Sequence, residues 1–408
     1  MGNTQTIEPV ESVKSINERF DLSDTHGFLP ENQTPSQMRP PYNVLLTVCN
    51  KLPELIRTHE IETVVNELEM IEIDPATTHA EYQTLYTILC LIQAGYIWHR
   101  GETIHADSVP KQISWPLHLV SKYLDIAPIL THGAVDLYNW QLIDPNKPFE
   151  LENIRSVFTL TGDKSESHFY LVMVAIEHEG RPILNEIIRL NLLKNTSDAD
   201  QITKSMQIIS TQLDTINQIM KKMYGGCDSD FFYNQLRIFL TGWTNEKLFP
   251  NGMELENVGT NIRYGGGSAA QSSLIQVIDA FFGVKHQNGF LASMREYMPA
   301  KHREFINWVE SQSNCTSLLI NDQIKQMHSE CLEKLVKFRT IHMGFIRHYI
   351  LNEADKNEKL NKQSVLSVEG TGGTELGSKT ESDSTEESGL SKMLQGFITD
   401  TTNAKYPV

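Results

Sequence analysis

Apolar residues recur three and four positions apart along most of the chain. The spacing is clearest in ITKSMQIISTQLDTINQIMKKMY, where the apolar positions are Met206, Ile209, Leu213, Ile216, Met220 and Met223. Such steps place side chains on one face of an α-helix, so we predict a helix with a single buried stripe. No run of alternating β-branched residues rivals these helical patterns, and the second half of the chain is therefore predicted to be an all-helical bundle.

Glycine and proline interrupt several of the predicted helices. The segments NVLLTVCNKLPELIRTHEIETVVNELEMIEI and YQTLYTILCLIQAGYIWHR both have the helical period. We expect breaks or kinks at Pro53 and Gly95, because proline removes a backbone donor and glycine weakens a helix. The stretch HFYLVMVAIEHEGRPILNEIIRLNLL is predicted to be a helix broken between Gly180 and Pro182.

Polarity and turn content divide the chain into segments. Residues 1–40 are predicted to be a polar tail followed by an extended segment, and residues 41–150 a small, mostly helical N-terminal domain. Residues 151–408 are predicted to form a large helical domain, in which the polar, Gly/Ser-rich stretch 352–388 is a flexible loop. A last short helix, LSKMLQGFI, is expected to dock back. The predicted fold class is mainly α, with a large C-terminal domain capped by the smaller N-terminal one.

Composition restricts the kinds of binding partner and the cellular compartment that we expect for this protein. The formal net charge of -16 repels phosphate backbones, so no nucleic-acid partner is expected. Five cysteines without a CxxC pair are predicted to be free thiols in a reducing compartment. The sequence has no secretory signal pattern and no run of about 18 apolar residues, which predicts a cytoplasmic protein without stable membrane insertion. Gly2 matches a myristoylation pattern, but no polybasic cluster follows to supply a second membrane signal.

Three consecutive glycines stand in YGGGSAAQSS, residues 264–273. A phosphate-binding P-loop would need Lys-Ser or Lys-Thr directly after its last glycine, and Ser268 follows here instead. The contiguous glycines also lack the GxGxxG spacing of a dinucleotide site. The loop is therefore expected to approach some other group, since glycine lets the backbone come close.

A histidine occupies an apolar position in the predicted helix between Asp322 and Leu351. The stripe contains Ile324, Met327, Cys331, Leu335 and Phe338 and continues in the same steps to His342, Phe345 and Tyr349. His342 is either a core histidine bonded to a neighbour or a metal or haem ligand that faces a cavity. HExxH and ExxH spacings are absent from this helix, which favours haem over zinc.

Two charged residues accompany this histidine. Arg339 precedes it by one turn, within reach of a negative group such as a haem propionate. Asp279 lies in the apolar run LIQVIDAFFGV. A buried carboxylate needs a cationic partner, for which we expect Arg339, although periodicity alone equally allows an exposed Asp279.

An arginine follows two aromatic residues in DFFYNQLRIFLTGW. Helical spacing places Phe232 and Tyr233 on the face of Arg237. An arginine among aromatic rings suits a planar carboxylate on an apolar ligand body, such as a large aromatic amino acid. The alternative is an arginine that merely covers core aromatic residues.

Six motifs together resemble one known family, the indoleamine 2,3-dioxygenases. They are DPNKPF, FFYNQLRIFLTGW, GGGSAAQSS, REYMPAKHREF, FRTIHMGFIRHYI and GTGGT, in the family's order and spacing. The resemblance implies haem b with ferrous iron in the large helical domain. It also implies a monomer that inserts O2 across the indole C2–C3 bond of L-tryptophan or related indoleamines, giving N-formylkynurenine from tryptophan.

The resemblance also implies roles for individual residues. His342 matches the proximal iron ligand, and Arg237 matches the arginine that holds the substrate carboxylate. The catalytic set implied is Arg237, Phe232 and Ser268; the substrate set adds Phe169, Tyr233, Ala269 and Thr371, and the cofactor set contains His342, Arg339, Asp279, Gly267 and Ser268.

Two positions depart from the mammalian pattern of the family. Met173 stands in place of a distal serine, and His132 in place of a pocket tyrosine. Because related tryptophan 2,3-dioxygenases carry a distal histidine, His132 is compatible with the chemistry. The alternative function is a myoglobin-like oxygen carrier descended from the family, which would have no use for Arg237, the aromatic pair or Thr371. A signalling role through the Ser/Thr/Glu-rich stretch at residues 378–388 is a third alternative.

Overall fold

Helices account for most of the molecule. The computed structural model describes residues 11–193, 198–312, 315–361, 364, 370–372 and 389–404. The α-helices are α1 (Val13–Arg19), α2 (Asn43–Asn50), α3 (Leu52–Thr58), α4 (Ile61–Glu67), α5 (His79–Trp98), α6 (Lys111–Leu124), α7 (Lys164–Asn191), α8 (Ala199–Lys221), α9 (Met223–Gly226), α10 (Ser229–Phe231), α11 (Ser273–Phe282), α12 (Phe290–Ser293), α13 (Ala300–Gln312), α14 (Asp322–Phe345), α15 (Asn352–Lys359) and α16 (Gly389–Asn403).

Shorter helical segments link these helices. Those with the wider π turn are Gly133–Leu137, Phe232–Leu236 and Ile346–Leu351. Those with the tighter 3-10 turn are Glu102–Ile104, Leu151–Asn153, Arg237–Leu240, Ala269–Gln271, Met294–Tyr297 and Cys315–Leu318. The predicted mainly α class is confirmed.

The described residues include five short strands, and the three that lie beyond residue 150 correct the prediction that the second half is all-helical. The five strands are β1 (Ser108–Val109), β2 (Trp140–Leu142), β3 (Ile154–Ser156), β4 (Met253–Leu255) and β5 (Gly259–Ile262). β1 runs parallel to β4, while β4–β5 and β2–β3 are antiparallel. Strands this short show no readable alternation, which explains why the sequence pattern missed them. Two of the pairings, β1–β4 and β2–β3, join residues on opposite sides of residue 150. The domain boundary predicted near this residue stays a prediction.

The segment predicted as a polar tail is largely packed. A capping box between Ser12 and Ser15 starts α1, which buries Ile16. Phe20 and Phe28 are also buried, at 2% and 1% exposure. Residues 11–40 are therefore part of the folded structure, because a few well-spaced apolar side chains suffice to anchor a polar segment. Residues 1–10, with Gly2, lie outside the described part of the chain.

Only one of the predicted helix interruptions is confirmed. Pro53 lies at the start of α3, just after α2 ends. α5 runs through Gly95, and α7 runs through Gly180 and Pro182 without a break. Gly180 instead allows close packing, because a Cβ there would lie 2.3 Å from Cδ2 of Leu274 on α11.

Helices α7, α8 and α14 pack side by side and carry the core near the cavity described below. The predicted stripe of α8 is buried from Met206 to Met220. α16 packs on α14 and buries Leu394 and Phe397, so the predicted docking of the last helix is confirmed. The stretch predicted as a flexible loop, 352–388, begins instead with α15; of the rest, only residues 360, 361, 364 and 370–372 are described.

All five cysteines are buried free thiols, as predicted. Among the described helices, none is both long enough and apolar enough to cross a membrane.

Candidate active site

A large cavity lies between α7, α14, α16 and the glycine-rich loop. It has a volume of about 220 Å³ for the centres of water-sized molecules, and it is partly open to solvent. Ten of the predicted site residues line it: His132, Phe169, Met173, Phe232, Gly267, Ser268, Ala269, Thr371, Arg339 and His342. Three do not: Tyr233, Arg237 and Asp279. Most of the other lining side chains are apolar, among them Val135, Ile176, Leu240, Ile275, Phe338 and Phe397.

The imidazole of His342 is on the cavity wall. Among the described residues, none forms a hydrogen bond or ion pair with this ring, so they give no support to the interpretation as a bonded core histidine. Burial, together with the nearby charge of Arg339, lowers the pKa of His342 to about 4. The ring is therefore neutral at physiological pH, the form in which a histidine nitrogen binds a metal. A neutral imidazole that faces an apolar cavity fits the single axial ligand of a haem iron.

Arg339 and Asp279 form the predicted ion pair. Nη2 of Arg339 lies 2.7 and 2.6 Å from the two carboxylate oxygens of Asp279, and Nη1 donates to the hydroxyl of Thr401. Asp279 is 4% exposed, which rules out the alternative of a solvated carboxylate. Burial alone would raise the pKa of Asp279, but Arg339 and His286 outweigh it and lower the pKa. The carboxylate thus anchors Arg339 at the cavity wall, one turn before His342.

Aromatic rings form another part of the wall. The rings of Phe169 and Phe232 lie 4.9 Å apart and tilted by 46°. The ring of Tyr349 lies 5.6 Å from that of Phe232, in an edge-to-face arrangement. Such rings can pack against a flat apolar ligand in stacked or edge-to-face arrangements.

Tyr233 and Arg237 share a face, as predicted, but neither residue lines the cavity. The guanidinium carbon of Arg237 lies 5.1 Å from the centre of the Tyr233 ring, and both residues are buried. The chain changes here from a π turn to a 3-10 turn at Arg237, which α-helical spacing did not anticipate. Phe232 and Leu240 on either side do line the cavity, so Arg237 lies in a segment that borders it.

The three glycines serve mainly to pack backbone against backbone. Gly266 donates to the carbonyl of Thr371 at 2.9 Å, and Gly267 donates to the carbonyl of Leu240 at 2.9 Å. A Cβ on Gly266 would lie 2.0 Å from the Leu240 carbonyl oxygen. Gly265 and Gly266 therefore let the loop fit between neighbouring segments, whereas only Gly267 reaches the cavity. The Thr371 hydroxyl donates to the Gly267 carbonyl at 2.7 Å and joins the two loops.

A buried polar cluster at the cavity went unnoticed in the sequence. His132 Nδ1 lies 2.6 Å from Asp136 Oδ2, and its Nε2 lies 3.0 Å from Glu177 Oε1. Ser272 donates to the same Glu177 oxygen at 2.6 Å. Burial alone would lower the pKa of His132, but Asp136 and Glu177 outweigh it and raise the pKa to about 10. The histidine is therefore an imidazolium with both ring nitrogens engaged.

Part of this cluster had a visible sequence signal. Asp136 follows His132 by four residues in an otherwise apolar run, ILTHGAVDLYNW. Glu177 lies 45 residues from His132 along the chain, and only the fold brings them together. His286 and Asp400, which extend the Arg339 cluster, likewise carry no recognisable spacing.

Comparisons with a family model and with known proteins point to the same family. The family model described as indoleamine 2,3-dioxygenase matches residues 16–404. Indoleamine 2,3-dioxygenase 1 of Rattus norvegicus is 30% identical over 387 residues, which cover 91% of this chain and 94% of that protein. Indoleamine 2,3-dioxygenase 2 of Homo sapiens is 28% identical, and the alignment covers 88% of this chain and 91% of that protein. A Fusarium equiseti protein named 6-hydroxytryptophan 2,3-dioxygenase is 29% identical, and the alignment covers 88% of this chain and 93% of that protein.

Proposed function

The chain belongs to the indoleamine 2,3-dioxygenase family, and we propose that it inserts O2 across the indole C2–C3 bond of L-tryptophan to give N-formylkynurenine. The family is haem-dependent and acts on tryptophan and related indoles. The observation that carries the proposal is the neutral imidazole of His342 on the wall of a cavity bordered by Phe169 and Phe232. Related indoleamines belong to the proposed substrate range.

His342 is the residue that would hold the cofactor, which we propose to be haem b. When bound, a ferrous haem would supply the iron that binds O2 and makes it reactive towards the indole, whose own electrons reduce the O2. His342 would ligate the haem iron, and the apolar lining would limit the access of water to the reaction. Arg339, fixed by Asp279, offers positive charge to the propionate side.

The remaining roles concern the orientation of the substrate. Phe169 and Phe232 are proposed to hold the indole ring by aromatic packing. Thr371 and Ser268, where the two loops meet, lie at the amino-acid end. Arg237 is proposed to bind the substrate carboxylate, which requires its side chain to turn towards the cavity that its neighbours line.

His132 and Met173 shape the wall without taking part in proton transfer. A distal histidine needs a free nitrogen to bond a reacting group, and both nitrogens of His132 are held by carboxylates. Met173 contributes an adaptable apolar surface in place of a hydroxyl. We therefore propose that neither residue is required as an acid or a base.

Phe169, Phe232 and Thr371 at the cavity support catalysis over oxygen carriage, because a carrier needs no substrate wall. The test is to reconstitute the protein with haem, reduce it, add L-tryptophan and O2, and follow the absorbance of N-formylkynurenine. Product formation supports the proposal. A stable oxygenated haem spectrum without product would favour the carrier. We further propose a cytoplasmic monomer; the five buried free thiols fit a reducing compartment.

A further inference from the structure

The cluster around His132 leaves one acceptor at the cavity without a partner. Asp136 uses Oδ2 to hold His132, while its Oδ1 is buried and accepts no hydrogen bond from any described residue. Its side chain is 5% exposed and belongs to the cavity lining. An unsatisfied carboxylate oxygen in such surroundings is costly, and a ligand that offered a donor would remove that cost.

The surroundings of Asp136 restrict the kind of donor. The nearby lining residues Val135 and Ile176 are apolar, and Phe169 and Met173 come from the same helix as Ile176. Glu177 Oε2 also lacks a partner among the described residues, but Glu177 is fully buried and does not line the cavity. Of the two carboxylates, Asp136 is therefore the one that borders the cavity, although its Oδ1 has almost no accessible surface; a donor that reaches this oxygen must project from a flat apolar body.

We propose that Asp136 is a specificity-determining residue that accepts a hydrogen bond from a hydroxyl group on the benzene ring of the indole. The inference rests on the proposed function, in which the ring packs on Phe169 and the amino-acid end lies towards Thr371. It goes further, since it assigns ring-hydroxylated tryptophans as the substrates that this wall favours over tryptophan. The ion pair with His132 holds Asp136 in place for this contact.

The test measures binding separately from turnover. Dissociation constants for L-tryptophan, 5-hydroxy-L-tryptophan and 6-hydroxy-L-tryptophan are obtained from changes in the absorption spectrum of the ferric, haem-loaded protein. The wild type should bind at least one hydroxylated compound about tenfold more tightly than tryptophan, as expected for a hydrogen bond to a charged acceptor. The dissociation constants can be compared even if the protein turns over none of these compounds. A failure of the proposed activity is therefore distinguishable from a failure of the proposed binding preference.

Three variants separate the possible causes. Asp136→Leu should erase the preference, while Asp136→Asn, which keeps an oxygen acceptor of the same shape, should retain part of it. Glu177→Gln loosens His132 from its other side and leaves Asp136 Oδ1 intact, so it should keep the preference. The proposal is overturned if the wild type has no preference, if Asp136→Leu weakens tryptophan and its hydroxylated forms equally, or if Glu177→Gln also erases the preference.

Discussion

Arg339 Nη2 contacts both carboxylate oxygens of Asp279, at 2.7 and 2.6 Å, and so ties α14 to α11 one turn before His342. Both side chains are less than a tenth exposed. Arg339 thus brings a buried positive charge to the cavity, and the Asp279 carboxylate balances it. The sequence suggested this pairing, because a buried carboxylate needs a cationic partner, but its periodicity equally allowed an exposed Asp279.

Asp279→Ala should destabilise the haem-free protein by about 3 to 5 kcal/mol, because it leaves Arg339 buried without its carboxylate. Chemical denaturation followed by circular dichroism measures the loss. Asp279→Asn serves as the shape-matched control and should lose less, since it still offers one acceptor. Equal stability of Asp279→Ala and the wild type would mean that the pair contributes nothing.

His342→Ala should lose haem binding, because among the described residues His342 is the one whose neutral ring faces the cavity without a partner. The haem content of the purified protein, measured by absorbance, gives the result. His328→Ala is the control: His328 is buried on the same helix but lies outside the cavity. Added imidazole should restore an axial ligand to the His342→Gly protein, whereas unchanged haem content in His342→Ala would refute the assignment.

The glycine loop supplies a matched pair of variants. A Cβ at Gly266 would lie 2.0 Å from the Leu240 carbonyl oxygen, while one at Gly267 would come no closer than 3.7 Å to its neighbours. Gly266→Ala should therefore lower the free energy of unfolding by at least about 1 to 3 kcal/mol, the usual cost of overpacking. Gly267→Ala should change it little. If the two variants were equally stable, the backbone packing described for this loop would be incorrect.

Arg237→Ala should lower kcat/KM for L-tryptophan, because Arg237 is proposed to turn and bind the substrate carboxylate. The corresponding activation free energy should rise by about 2 to 5 kcal/mol. Tryptamine, which lacks the carboxylate, is the control substrate and should be affected much less. An equal loss for both compounds would point to a structural role on the Tyr233 ring. Wild-type turnover of tryptophan by this variant would exclude the carboxylate role.

The pH dependence of stability follows from His132. Its pKa in the folded protein is about 10, against an ordinary value of 6.5. The stabilisation by protonated His132 is therefore present in full below about pH 6.5 and is lost as the pH rises towards 10. The groups that determine it are Asp136 and Glu177, with His302 in electrostatic range.

Urea denaturation of the wild type and of His132→Gln at several pH values measures this effect. The difference in unfolding free energy between the two proteins should shrink steadily between pH 6.5 and 10. A difference that stays constant over this range would mean that His132 is not held as an imidazolium.

Helical periodicity predicted the helices and the position of His342, because a stripe of apolar residues identifies the buried face. It did not predict that α7 continues through Gly180 and Pro182. Gly180 allows the close approach of Leu274 on another helix, a tertiary contact that periodicity does not reveal. Short strands such as β4 depend on partners more than 140 residues away in the chain, Ser108 pairing with Glu254.

The candidate site followed from motifs only in part. Family motifs identified ten residues that the fold does bring to the cavity. They did not reveal the cluster of His132, Asp136 and Glu177, because only the fold brings Glu177 on α7 to His132, 45 residues away in the chain. The orientation of Arg237 also depended on the irregular turns at Phe232–Leu240, whose phase differs from that of an α-helix.

The most direct test of the proposed dioxygenase activity uses isotopically labelled oxygen. The haem-loaded, reduced protein is given L-tryptophan under ¹⁸O2, and the product is analysed by mass spectrometry. We expect N-formylkynurenine that carries both atoms of one O2 molecule. A product with one labelled atom, or no product beside a stable oxygenated haem, would contradict the proposed activity.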